Sequence, residues 1–289
     1  MQKTTILVTG ATGSTGTPTV EHLIKQGYSV RALVRKEDEK SNSFKSLGAE
    51  IIVGNMHNME DMRAAWKGAK RGYFSYPLAP DLLDATVMFA QAAKEVGAEF
   101  VVNLSQKQVS PTVKSPATIR HFLSEEVFKW SGLPTAHIRP TFFSEWFLYV
   151  ANSIKQGKLP MAFPENVQHA PVAGEDLART IVAIMGEPEK HAGKVHQLFG
   201  PELLSYAQIA GIFSRVLHKD IIYEEVSIQQ MADAIGIGGF EHFKNHVANV
   251  ISDNLFAEPR INDAIHTITG KIPMTLAEFI DKNRSFFAA

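Results

Sequence analysis

Thr5-Ile6-Leu7-Val8-Thr9-Gly10-Ala11-Thr12-Gly13-Ser14-Thr15-Gly16 is the stretch whose reading decides the fold. Thr5 to Val8 is a short apolar run with no room for a helix. Three glycines follow at a G-x-x-G-x-x-G spacing, and Pro18 to Ile24 takes up a helical period. A strand, a glycine turn and a helix in that order make a seat for a pyrophosphate. Backbone N–H groups at the helix start face the anion, and glycine lets the main chain come close to it. Gly10, Thr12, Gly13, Ser14, Thr15 and Gly16 are therefore expected to cradle the phosphates of a dinucleotide.

The alternation continues along the chain. Ser29–Val34, Glu50–Val53, Gly72–Ser75, Phe100–Leu104 and Ala136–Arg139 read as further strands. Helical patterns separate them, from about Asp38 to Leu47, Met59 to Trp66, Asp81 to Val96 and Ala117 to Trp130. Strands this apolar fit a parallel sheet covered on both faces. The expected fold is α/β, a Rossmann-type doubly wound parallel sheet with a smaller, mostly helical C-terminal lobe. Residues 1–150 are assigned to the dinucleotide domain and 151–289 to a lobe packed on it. Beyond Pro140 the rhythm changes, and Val195–Phe199 and Ile221–Val226 read as short strands among helices.

The 289 residues are 45% hydrophobic and 20% charged, the composition of an ordinary globular protein. A formal net charge of −1 and the lack of a basic run argue against nucleic acid as a partner. No apolar stretch approaches the roughly 20 residues that span a bilayer, and no secretory leader is read at the N-terminus. Cysteine is absent, which excludes disulfides, thiol catalysis and thiolate metal sites and fits a reducing cytoplasm.

The end of the second strand normally reads the adenine ribose, where an acidic residue binds the two hydroxyls of NAD. Here it ends Val34-Arg35-Lys36. A guanidinium binds a 2′-phosphate through paired hydrogen bonds and Lys36 adds charge, so NADP(H) is expected over NAD(H). Asn55, just past the third strand, is placed to contact the adenine. Phe74, Ser75, Tyr76 and Pro77 leave the fourth strand at the level of the cofactor, where main-chain or ring contacts are expected.

These residues resemble the atypical short-chain dehydrogenase/reductases, specifically the NmrA-like family. The resemblance rests on Thr9 to Gly16 with Leu33-Val34-Arg35, on Ser131-Gly132-Leu133-Pro134 leading to Ile138-Arg139-Pro140, on Glu175-Asp176-Leu177-Ala178, and on Gly200-Pro201-Glu202 with Leu204-Ser205-Tyr206. It implies a Rossmann domain with a small, partly helical substrate lobe. Reductases of the superfamily usually carry Tyr-x-x-x-Lys on the helix after the fifth strand. Here the two positions fall near Ala117 and His121, so tyrosine-dependent alcohol or ketone chemistry is not expected. His121 and Glu125, four apart on one helical face, are similar instead to the subgroup of NAD(P)H-quinone oxidoreductases and triphenylmethane dye reductases.

That resemblance implies hydride transfer to a quinone-like or related conjugated acceptor without flavin or metal. A non-catalytic NADP(H)-binding redox sensor is the alternative. Ser105 follows the fifth strand at the superfamily's serine position, and His121 is expected beside the nicotinamide ribose or as a proton donor. Phe142, Phe143 and Trp146 lie in the densest aromatic run, Phe142 to Tyr149, and are expected to line an acceptor pocket. Helical spacing puts Phe142, Trp146 and Tyr149 on one face of that run. A small-molecule acceptor is the expected partner, with neither nucleic acid nor membrane, and a homodimer is compatible with such a chain. His242 and His246 stand one helical turn apart but lack a third ligand, so no metal site is expected.

Overall fold

The computed structural model describes residues 4–253 and 261–288. The chain opens with β1 (Thr5–Val8), α1 (Gly16–Lys25), β2 (Ser29–Val34), α2 (Glu39–Ser46), β3 (Glu50–Val53) and α3 (Met59–Trp66). It continues with β4 (Arg71–Phe74), α4 (Leu82–Glu95), β5 (Phe100–Leu104), α5 (Pro116–Ser131) and β6 (Thr135–Pro140). Then come α6 (Trp146–Tyr149), α7 (Ala151–Lys155), β7 (Lys158–Met161), β8 (Gln168–His169), α8 (Gly174–Gly186), α9 (Pro188–His191), β9 (Val195–Leu198) and β10 (Leu204–Ser205). The remainder is α10 (Tyr206–Leu217), β11 (Ile222–Glu225), α11 (Ile228–Ala234), α12 (Glu241–Ser252), α13 (Ala264–Thr269), α14 (Leu276–Lys282) and α15 (Arg284–Phe287).

The main sheet has seven strands in the order β3-β2-β1-β4-β5-β6-β9. Successive pairs from β3 to β6 run parallel, with Val8 beside Ala32 on one flank and Tyr73 on the other. The chain order reverses between β1 and β4, the switch point at which ligands of doubly wound sheets sit, outside the strands' carboxyl ends. Ile6, Leu7 and Val8 are fully buried because helices cover both faces. The core between α3, α4, α5 and the sheet is aromatic. Phe89 meets Trp66, Phe74 and Phe128 at centroid distances of 5.0, 4.9 and 6.1 Å, tilted or edge to face. Gly72 makes room for it, since a Cβ there would stand 2.4 Å from the Trp66 ring.

Two compact units divide the chain. The first takes the chain up to Pro111, then Ala117–Arg139 and Leu177–Gln197. The second takes Thr112–Pro116, Pro140–Asp176 and the chain from Leu198 onward. Within the second, β7 pairs in parallel with β11, and β8 pairs antiparallel with β10.

Two differences from the sequence reading have clear causes. Val195–Leu198 is not an isolated strand of the C-terminal half; it closes the edge of the main sheet beside β6, tied in by the His137 N–H to Lys194 carbonyl bond of 2.9 Å. The run Phe142 to Tyr149 is not one helix either. Phe143 bridges to Val172, with Ser144 N–H on the Val172 carbonyl at 3.0 Å and Val172 N–H on the Phe142 carbonyl at 2.9 Å. Backbone groups used in that bridge cannot close helical turns, so the helix is confined to Trp146–Tyr149.

Candidate functional site

The glycine turn is built for close backbone packing. Gly10 has a φ of +58°, a conformation that favours glycine, and a Cβ there would press on Ser75 at 3.0–3.1 Å. A Cβ on Gly16 would stand 2.1 Å from the Gly10 carbonyl oxygen, so only glycine lets α1 begin directly beneath the turn. Thr9 fastens the turn to β4, its hydroxyl accepting from Ser75 N–H at 2.9 Å. Gly10, Gly13 and Ser14 are exposed and Thr12 is partly so. Thr15 is buried and its hydroxyl meets that of Tyr73 at 2.8 Å, so its side chain serves the scaffold. No acidic residue occupies the first turn of α1, and Thr15 makes no side-chain cap. An N-terminus of this kind is electrostatically favourable for an anion, and the cradle fits a dinucleotide pyrophosphate.

Beyond the turn, Arg35 and Lys36 are both exposed where β2 ends. Lys40, which the sequence reading did not single out, donates to the Thr12 carbonyl at 3.2 Å and adds a third cation beside the turn. Asn55 is exposed, and its side-chain oxygen accepts from His57 N–H at 3.0 Å. Ser75 and Tyr76 are half-buried and Pro77 is exposed. Tyr76 joins His57 and Asp81 in a cluster that no motif announced. Its signal in the sequence is only that all three residues lie in the connections leaving β3 and β4.

At the carboxyl end of β5, Ser105 is buried and its hydroxyl finds no hydrogen-bond partner among the described residues. Its backbone N–H is bonded to the Ile138 carbonyl at 2.8 Å, which holds the residue in place. On α5, His121 and Glu125 share the buried face with Ala117, Ser124 and Phe128. Glu125 is held by Arg139 through two bonds, of 2.9 and 2.6 Å. A bidentate, mostly buried pair of this kind fixes α5 against β6. Deeper in, Asn103 bonds His137 at 3.0 Å, and burial lowers the pKa of that histidine.

In the second unit, Phe142, Trp146 and Phe243 lie nearly parallel. Trp146 stacks on Phe243 at 5.3 Å and 24° and on Phe142 at 6.3 Å and 29°. Phe142, Phe143 and Trp146 remain partly exposed. Glu145, inside the same run, was also missed, although a lone acid among aromatics is itself a signal. One of its oxygens accepts from Gly174 N–H at 2.8 Å, and the other is buried without a partner among the described residues. Burial, helped by the nearby Asp176 and Glu175 charges, pushes its carboxyl up to about 7. His246, noted for its spacing from His242, instead has Nδ1 2.9 Å from the Ser115 hydroxyl, and burial lowers it to about 4. Among the described residues, no group of three or more His, Asp or Glu side chains could hold a metal ion, and no helix is long and apolar enough to cross a membrane.

The chain is similar over its whole length to "Uncharacterized oxidoreductase YesF" of Bacillus subtilis, at 27% identity, covering 98% of that protein. It is 25% identical to NAD(P)H azoreductase of Xenophilus azovorans over 98% of this chain and 99% of that one. Among solved structures, NADPH-dependent quinone oxidoreductase QOR2 of Escherichia coli, complexed with NADPH, superposes with a TM-score of 0.83 at 20% identity, over 96% of this chain and 99% of that one. NmrA, a negative transcriptional regulator in complex with NADP, does so with a TM-score of 0.77 at 19% identity, over 98% of this chain and 95% of that one. At those identities the structures speak for the fold. The NmrA-like family's sequence model matches residues 2–280, and the chain belongs to that family, which is of NAD(P)H-binding oxidoreductase type.

Proposed function

We propose that this protein is a cytoplasmic NADPH-dependent reductase of quinone-like or related conjugated acceptors, working without flavin or metal. Residues 1–150 would hold the dinucleotide, and residues 151–289 would shape the acceptor site together with the Phe142 to Trp146 run at the end of the first stretch. The observation that carries the reading is Ser105, a buried hydroxyl left without a partner at the carboxyl end of β5, where parallel sheets meet their ligands. A buried donor in that position calls for a polar atom on the ligand. The oxidoreductase and azoreductase names of the two relatives point the same way.

The roles divide as follows. Main-chain groups of Gly10, Thr12, Gly13, Ser14, Thr15 and Gly16 hold the pyrophosphate. Arg35 and Lys36 take the 2′-phosphate, and Asn55, Ser75, Tyr76 and Pro77 line the adenosine side. Ser105 bonds an acceptor oxygen or the nicotinamide amide, and His121 bonds the nicotinamide ribose or returns a proton to product. Phe142, Phe143 and Trp146 offer flat rings to a flat acceptor. The bound cofactor supplies the hydride. A quinone oxygen so reduced becomes a weakly basic phenolate, so the missing Tyr-x-x-x-Lys costs such chemistry little. The protein's task is positioning and exclusion of water.

The test is oxidation of NADPH followed by absorbance with a panel of quinones, cationic dyes and azo compounds. Protein-dependent oxidation is expected with at least one class. Tight NADPH binding without turnover across the panel would instead favour a redox sensor. That second reading draws support from Ala117 and His121 standing where the acid pair is usual, and from the fold's likeness to NmrA. In the same assay, Arg35→Ala should weaken NADPH about tenfold more than NADH, the scale of one lost charge-assisted bidentate contact. Equal losses would remove the NADP(H) preference.

A further inference from the structure

Three side chains from two connections meet at the rim of the first unit. His57 follows β3, Tyr76 follows β4, and Asp81 immediately precedes α4. His57 Nε2 stands 2.7 Å from the Tyr76 hydroxyl and 3.2 Å from an Asp81 oxygen. The His57 and Tyr76 rings meet edge to face with centroids 5.7 Å apart. Burial first, and then the nearby Asp81 carboxylate, push the Tyr76 phenol up to about 12, so it remains a donor at neutral pH. Arg35 acts on the same phenol in the opposite direction, and Asp84 adds to Asp81. The Arg35 charge is therefore within electrostatic reach of Tyr76. The other Asp81 oxygen is buried with no partner among the described residues.

We propose that His57 and Asp81 are positioning residues that pin Tyr76 as one wall of the pocket for the adenosine 2′-phosphate half of the dinucleotide. The inference rests on the NADP(H) reading above and adds two residues to it. In the order β3-β2-β1-β4, the adenosine half belongs over the carboxyl ends on the β2 and β3 side of the switch point, where Arg35 and Asn55 lie. Tyr76 leaves β4, on the other flank of β1, and its ring is held back toward β3 by His57. A tyrosine in a connecting segment would otherwise lose side-chain freedom when a ligand packs on it. Fixing the ring beforehand removes that loss and tightens binding. Asp81 is the anchor of the set, since it holds the His57 nitrogen that meets Tyr76.

The test uses 2′,5′-ADP, which carries the adenosine 2′-phosphate half alone, with calorimetric titration of the whole chain. Asp81→Ala and His57→Ala should each weaken 2′,5′-ADP about fivefold, on the scale of one immobilised side chain. Tyr76→Phe should do the same, and the Asp81→Ala/Tyr76→Phe double variant should bind no worse than the weaker single. Asp81→Asn, which keeps the side-chain size, replaces Asp81→Ala if the latter does not fold. In that variant the phenol ionisation read by ultraviolet absorbance should also move down from about 12. Unchanged 2′,5′-ADP affinity in both Asp81 variants would overturn the proposal. So would effects that multiply in the double variant, because Asp81 would then act independently of Tyr76. A wild-type chain that does not bind 2′,5′-ADP at all would overturn the NADP(H) reading itself, an outcome distinct from both.

Discussion

The first unit and the second each hold an aromatic cluster, and the two are packed differently. Around Phe89, the rings of Trp66, Phe74 and Phe128 meet at 59–79° and are all fully buried. Around Trp146, the rings of Phe142 and Phe243 lie within 29° of parallel and that of Tyr149 at 60°, and Phe142 and Trp146 keep part of their surface exposed. Edge-to-face contact lets rings fill a volume from several directions. Near-parallel rings with an open margin present flat faces instead. Aromatic density and tilt alone therefore do not distinguish a closed core from a partly open cluster, since Phe163 and Tyr206 stack at 6° and are buried; exposure does.

The largest effect is expected at Phe89. Phe89→Ala should lower unfolding free energy by about 3–5 kcal/mol, measured in urea, with the cofactor cradle unaltered in those molecules that remain folded. A loss near 1 kcal/mol would mean the first cluster is no tighter than the second. Trp146→Ala should cost only about 1–2 kcal/mol of stability, while raising KM for a quinone about tenfold, the scale of a lost aromatic contact. A large stability loss with unchanged KM would return the second cluster to the core. Glu145→Gln is read through its pH dependence. The folded carboxyl titrates near 7 against an ordinary 4.5, so the native state binds the extra proton. That contribution is complete below about pH 4.5 and is lost as pH rises through 7. The wild type should therefore fall behind Glu145→Gln between pH 5 and pH 8, with parallel profiles as the contrary result.

The fold was legible wherever apolar runs are bounded by glycine or proline. Thr5–Val8, Ser29–Val34, Glu50–Val53 and Phe100–Leu104 are strands with the bounds that their composition indicates. Val195–Leu198 was legible as a strand but not as part of the main sheet. It is short and half polar, and its neighbour β6 lies more than fifty residues earlier. The break in the Phe142 run was hidden for the same reason, because the bridge from Phe143 to Val172 is a long-range fact. Of the candidate site, the glycine turn announces itself because its chemistry is local. His57 and Asp81 do not, since their meaning comes from Tyr76, which neither adjoins in sequence. Glu145 was in plain view within the quoted run, but its neighbour Gly174 was not.

The orphaned hydroxyl of Ser105 has a consequence for selectivity by exclusion. A compound seated against Ser105 without a hydrogen-bonding atom leaves that hydroxyl dry and unpaired, which costs about 1–3 kcal/mol. That is roughly a five- to 150-fold handicap against hydrocarbon-edged molecules of the same shape. A single buried oxygen can thus turn away apolar compounds that would match the space beside it by shape alone.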